Sequence, residues 1–134
     1  MRRFEVLRYL ESEYLPRALD VWDPDALTPP SWWEREQDDL AACYLQDGIQ
    51  IEYGKVCAIY KDLVKNGVSI DREALVLGLG DLIWYCTITL FTVDDYASAS
   101  SAMFHIGKLM WMADANGIEL GEICERSLAK GVSP

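Results

Sequence analysis

The chain has 134 residues, 51% of them hydrophobic and 11% aromatic, with 22 acids against 12 bases for a net charge of −10. That is the length of one ordinary domain with enough apolar surface for a substantial core, which argues against disorder. The acidity repels phosphate backbones and anionic lipid, so neither nucleic acid nor a membrane surface is an expected partner, while it suits a protein that gathers divalent cations.

The opening MRRFEVLRYLESEYL is interrupted by charge every few residues and has no apolar stretch of the kind a secretory signal needs. Cytoplasmic location is therefore expected, with Cys43, Cys57, Cys86 and Cys124 reduced and mostly buried; none lies in a CxxC or Cys/His metal spacing. Phe4, Leu7, Leu10, Tyr14 and Leu15 recur at helical spacing and predict a first helix over 4–19, which Pro16 bends or ends. DVWDPDALTPPSWW then reads as an irregular connection. Ser31 is placed to cap a second helix from Trp32 to about Leu45, and Gly48 allows a break.

A third helix carries Ile51, Val56, Ile59, Tyr60 and Leu63 and stops at Asn66-Gly67. Asp71 caps a fourth. Asp94 and Asp95 cap a fifth, with Met103, Ile106, Met110 and Ala113 on one face and a stop at Asn116-Gly117. The sixth is short, from Leu120 to about Lys130. No run alternates with period two between turn signals, so the expected fold is all-α: one domain over 1–134, built as a bundle of five to six antiparallel helices. Within it, 1–31 form the N-terminal helix and Pro-rich connection, and 32–134 the helical core.

The fourth helix holds the chemistry that most needs explaining. From Ala74 to Val93 there is no Lys, Arg, Glu or His, and a single carboxylate, Asp81. The stretch is long enough to span a bilayer, but it is flanked by Asp71, Glu73, Asp94 and Asp95 with no basic cluster to orient it, and Asp81 opposes insertion. It reads as a core helix covered on every side, in which Asp81 must be paired, metal-bound or functional.

The string from Gly78 to Tyr85, GLGDLIWY, resembles the ELGD(V/L)LWYL helix of the MazG-like all-α NTP pyrophosphatases. GIQIEYGKVCAIYKDLVKNG follows that family's GLxxEAGEVAxxxKK pattern with Gly48, Glu52, Gly54 and Val56 in place, and GIELGEICERSLAK is similar to its closing GxSLEEVxxxNLxKL. The pieces fall in family order over roughly residues 40 to 130. The resemblance implies an ExxE and an ExxD pair on facing helices, four acids that bind Mg²⁺ and direct cleavage between the α- and β-phosphates of an NTP or dNTP. It also implies a homodimer or homotetramer.

Carried over position by position, the catalytic and metal-binding acids fall on Glu52 and Asp81, while the other two ligand positions are Lys55 and Gly78. Lysine is no oxygen ligand and glycine has no side chain, so the Mg²⁺ site is incomplete. Asp47 and Glu73 are near in sequence but out of helical register with the vacated positions. Lys55 is expected to neutralise both Asp81 and Glu52 in place of metal; the other reading points Lys55 to solvent and leaves Asp81 to local hydrogen bonds. Candidate substrate-binding residues are Lys55, Trp84, Lys130, which matches the family's closing basic residue, and Trp33, which with Trp32 either stacks a base or anchors the connection.

His105, the single histidine, has no visible catalytic partner and is expected to pack or face solvent. An additional helix, SASSAMFHIGKLMWM, covers the pocket, forms a dimer surface or is plain core. The expected function is a degenerate MazG-like domain with weak or lost Mg²⁺-dependent pyrophosphatase activity that retains nucleotide or other ligand binding. Two alternatives stand beside it: an active house-cleaning pyrophosphatase with an altered metal site, and a non-catalytic helical protein-interaction module.

Overall fold

The computed structural model describes residues 2–20 and 37–130, with 37–40 described as backbone only. The secondary structure of these residues is entirely helical, an all-α bundle. Helix runs unbroken from Arg3 to Leu19 as α1 (Arg3–Tyr9), one π turn (Leu10–Tyr14) and α2 (Leu15–Leu19). Pro16 therefore does not end the helix. It sits in the first turn of α2, where its missing N–H is tolerated, and the wider π turn just before it takes up the change in hydrogen-bond register. Val6, Leu10, Tyr14 and Ala18 point inward from this segment.

α3 (Gln37–Asn66) is continuous, so the predicted break at Gly48 does not occur and the second and third predicted helices are one. Glycine costs about 1 kcal/mol relative to alanine inside a helix. Here packing offsets it: Gly48 is buried under Tyr85, and a side chain on it would overlap that ring, whose Cγ lies 2.8 Å from where a Cβ would stand. The predicted cap Ser31 and the start at Trp32 lie outside the described residues.

α4 (Arg72–Thr92) begins as predicted: the Asp71 carboxylate accepts from the Glu73 and Ala74 N–H groups at 3.0 and 3.3 Å. α5 (Tyr96–Ala115) is capped by Asp95 alone, whose Oδ2 accepts from Ser98 N and Oγ at 3.0 and 2.7 Å; Asp94 takes no part. The stops before α4 and after α5 place Gly67 and Gly117 at φ +64°, the left-handed conformation glycine adopts without steric cost. α6 (Leu120–Lys130) buries Leu120, Ile123, Cys124 and Ser127 along one stripe.

α4 is the axis of the molecule. It packs against α3, α5, α6 and the N-terminal helical segment, and its residues from Leu82 to Thr89 are buried without interruption. A helix covered on all sides needs no amphipathic stripe, which is why its apolar residues show no helical period. Among the described residues it is the helix long and apolar enough to cross a membrane, yet 67% of its most apolar window is buried inside the bundle.

The N-terminal segment and α6 are tied in by polar contacts. The Tyr14 and Ser127 hydroxyls meet at 2.7 Å in the interior, and the Trp84 indole N–H donates to the Ala18 carbonyl at 3.4 Å. Arg72 binds Glu122 at 2.8 Å, Arg17 binds Glu125 at 2.6 Å, and Arg126 pairs with Glu73. All four cysteines are free thiols; Cys86 and Cys124 are buried, Cys57 is half-buried and Cys43 is exposed.

Candidate functional site

Two glycines set the geometry around Asp81. A Cβ at Gly80 would lie 3.3 Å from the Ile123 carbonyl oxygen and 3.4 Å from Ser127, so α6 rides close on α4 at this level. At Gly78 the same construction meets a Val56 methyl at 3.1 Å. Position 78 thus faces the side of α3, with no room for the carboxylate that the family pattern would place there unless Val56 moves.

Because α6 lies so close, its last residue reaches the acid: Lys130 Nζ donates to Asp81 Oδ2 at 2.7 Å. The Asp81 side chain is only 17% exposed while that of Lys130 is 49% exposed, so the ammonium closes over the carboxylate from the solvent side. The expectation that Lys55 neutralises Asp81 is corrected here. Lys55 stands one turn from Glu52 on the same helix, and that spacing holds its ammonium to Glu52 Oε1 at 3.3 Å, with two thirds of the lysine side chain in water. The reading that gave Asp81 only local hydrogen bonds fails too, since its partner is 49 positions away in sequence.

Glu52 is more enclosed than a surface pair usually is. Its side chain is 12% exposed, and Oε2 is fully buried with no hydrogen-bond partner among the described residues. Beside it the Tyr85 phenol faces the Tyr44 hydroxyl at 3.5 Å. Burial pushes the Tyr85 phenol well above its ordinary value, and the Tyr44 hydroxyl and the negative charges of Glu52 and Asp81 push the same way. Glu52 on α3 and Asp81 on α4 both lie within electrostatic reach of that phenol. Each carboxylate carries its own ammonium, Lys55 on Glu52 and Lys130 on Asp81.

The other candidates fall elsewhere. Trp84 is fully buried, packed edge-on against Tyr85 at 5.0 Å, so it is a core residue and stacks nothing that arrives from solvent. Trp33 lies outside the described residues. Glu73 is committed to Arg126, and Asp47 is exposed. His105 is buried, its Nδ1 against the Ser101 carbonyl at 2.7 Å and its ring edge-on to Tyr53, which is a packing role.

A divalent cation of the Mg²⁺ type requires about six oxygen ligands, several from carboxylates or their bound waters. Among the described residues no three carboxylate, thiol or imidazole groups converge on one point. Both acids already hold an ammonium at salt-bridge distance, so the described side chains do not fit the metal. Sequence reasoning missed the Lys130–Asp81 pair and the Tyr44–Tyr85 contact, both of which depend on how close α6 and α3 come to α4.

No protein-family model, curated protein or solved structure matches the chain. The class the fold defines is an all-α helical bundle, and the MazG-like resemblance rests on the three motifs and their order.

Proposed function

We propose that the chain is a degenerate MazG-like domain in which lysine ammonium groups stand where the family holds Mg²⁺, and which binds a nucleotide without hydrolysing it efficiently. The single observation that supports this most strongly is the 2.7 Å contact between Lys130 Nζ and Asp81. A carboxylate so held is already neutralised, and a cation competing for it must displace a covalently tethered charge and recover the dehydration cost of Mg²⁺ from two acids instead of four. Two acids already paired with lysines offer no divalent Lewis acid to polarise the phosphoryl oxygens and activate a water, and no step of the family's hydrolysis is derived through these residues.

Binding is a separate matter. Lys55 and Lys130 each keep about half or more of the side chain in water, so both can meet a phosphate oxygen without leaving the carboxylate they cover. The test incubates the protein with NTPs and dNTPs plus Mg²⁺ or Mn²⁺ and measures pyrophosphate release. The account expects release at background level, with a rise in melting temperature on adding nucleotide in EDTA, because a ligand that prefers the folded state stabilises it. Turnover abolished by Asp81→Asn would instead establish an active pyrophosphatase with an altered site. Neither turnover nor a thermal shift would leave the helical interaction module as the surviving account.

A further inference from the structure

Ion pairs are not spread evenly over the bundle. Among the described residues, every ion pair that joins two helical elements ends on α6: Arg17–Glu125, Arg72–Glu122, Glu73–Arg126 and Asp81–Lys130. These use every charged residue that α6 contains, and the remaining pair, Lys55–Glu52, lies within α3. The apolar attachment of α6 is correspondingly small. It buries Leu120, Ile123 and Cys124 beside the Ser127 hydroxyl that meets Tyr14, whereas α4 is buried without interruption from Leu82 to Thr89.

Salt acts on these pairs and on the rest of the bundle in opposite directions. Apart from Asp81, every side chain in the four pairs keeps more than a third of its surface in water, within reach of mobile ions. α6 carries two acids and two bases, so it gains nothing when salt screens the repulsion within a chain of net charge −10, while the acidic bundle does gain. The chain enters α6 through Gly117 at φ +64°. Arg72 donates to the Gly117 carbonyl at 3.4 Å as well as to Glu122, so one arginine holds both the connecting turn and the first turn of the helix.

We propose that α6 is an electrostatic latch over Asp81, which opens as a unit at raised ionic strength while α3, α4 and α5 stay folded. Opening carries Lys130 away with its helix and leaves the Asp81 carboxylate and the Gly80 surface of α4 facing solvent. An exposed ion pair shifts an equilibrium by about 1.4- to 5-fold, so four together favour the docked helix by at least about fourfold. A short element with few buried apolar contacts is the kind that opens below the cost of global unfolding. The consequence for binding rests on the nucleotide reading: a phosphate held by Lys130 needs α6 docked, so nucleotide closes the latch that salt opens. The opening itself does not depend on that reading.

The test is amide hydrogen exchange of the full chain at fixed pH in about 0.02 M and about 0.5 M NaCl, between which the screening length falls from about 20 Å to about 4 Å. The α6 amides from Ile123 to Lys130 are expected to exchange at least about fourfold faster at the higher salt, while those of α4 from Leu82 to Thr89 hold their rate or slow. Arg17→Gln with Arg72→Gln, two changes at exposed positions, should give a faster α6 rate already at low salt and shrink the response to added salt. An α4 rate that rises together with the α6 rate means that α6 opens only when the bundle unfolds, and overturns the proposal. So does an α6 rate indifferent to salt and to the paired substitution. Adding ATP in EDTA at matched ionic strength should slow α6 exchange in the wild type. Where salt opens α6 and ATP leaves its rate unchanged, the nucleotide reading falls and the latch stands.

Discussion

Replacing Lys130 by methionine keeps most of the side-chain volume and removes the charge over Asp81. An exposed ion pair is worth about 0.2–1 kcal/mol, and removing one partner of a fully buried pair costs about 3–5 kcal/mol. This pair lies between those limits: its acid is 17% exposed and its lysine 49%, so solvent screens the ammonium more than the carboxylate. Lys130→Met should therefore cost about 1–2 kcal/mol. Asp81→Asn should cost less than about 1 kcal/mol, because the freed ammonium swings into water. The double variant should match Asp81→Asn, so the coupling energy equals the cost of Lys130→Met, about 1–2 kcal/mol. For a chain of this length each kcal/mol moves the melting temperature by about 3–5 °C, readily measured by circular dichroism. Lys55→Met removes a weaker contact, 3.3 Å long and with the lysine two-thirds in water, but it leaves the enclosed Glu52 carboxylate without its partner, so it should cost less than Lys130→Met, about 0.5–1 kcal/mol. The reverse pattern, with Lys55→Met costly and Lys130→Met silent, would refute the assignment of Lys130 as the counter-ion of Asp81.

Gly48→Ala adds a methyl against the Tyr85 ring; an overpacking cost of about 1–3 kcal/mol outweighs the helix-propensity gain, and urea unfolding should show net destabilisation, whereas a gain in stability would mean that the ring does not lie there. The carboxyls of Glu122 and Glu125 are held below their ordinary 4.5 by hydrogen bonds from Arg72 and Arg17, and that of Asp95 below 3.8 by those from Ser98. Folded values below the unfolded ones give stability that is present above the unfolded pKa and lost as pH falls through the folded one, so melting temperature should drop from about pH 5 toward pH 3. Arg17→Gln with Arg72→Gln should flatten that acid limb, and an unchanged limb counts against these pairs. Burial pushes the Cys124 thiol up to about 12 and the Cys86 thiol higher still. A disulfide reagent in mildly alkaline buffer should modify exposed Cys43 quickly and the two buried thiols only on unfolding, while fast modification of Cys86 would mean that α4 is not enclosed.

Much of the fold was legible because its signals are local. Asp71 and Asp95 cap helices through their own neighbouring N–H groups, and Gly67 and Gly117 end helices by a conformation that few other residues adopt. The misreadings involve contacts between distant parts of the chain. Gly48 looks like a breaker until the Tyr85 ring from another helix covers it, and Pro16 looks like a terminator until a π turn absorbs it. The candidate site divides in the same way. That Asp81 needs a partner follows from its apolar surroundings alone. Which cation supplies that partner depends on Gly80 admitting α6 to within van der Waals contact of α4, and no local pattern encodes it.

The central claim is that Asp81 is satisfied by an ammonium group and not by a divalent metal, and the melting temperature of the wild type in EDTA and in millimolar Mg²⁺ tests it most directly. A chain whose acids are already paired gains nothing from the ion, so the account predicts a change within about 1 °C. A rise of several degrees that disappears in Asp81→Asn would contradict it.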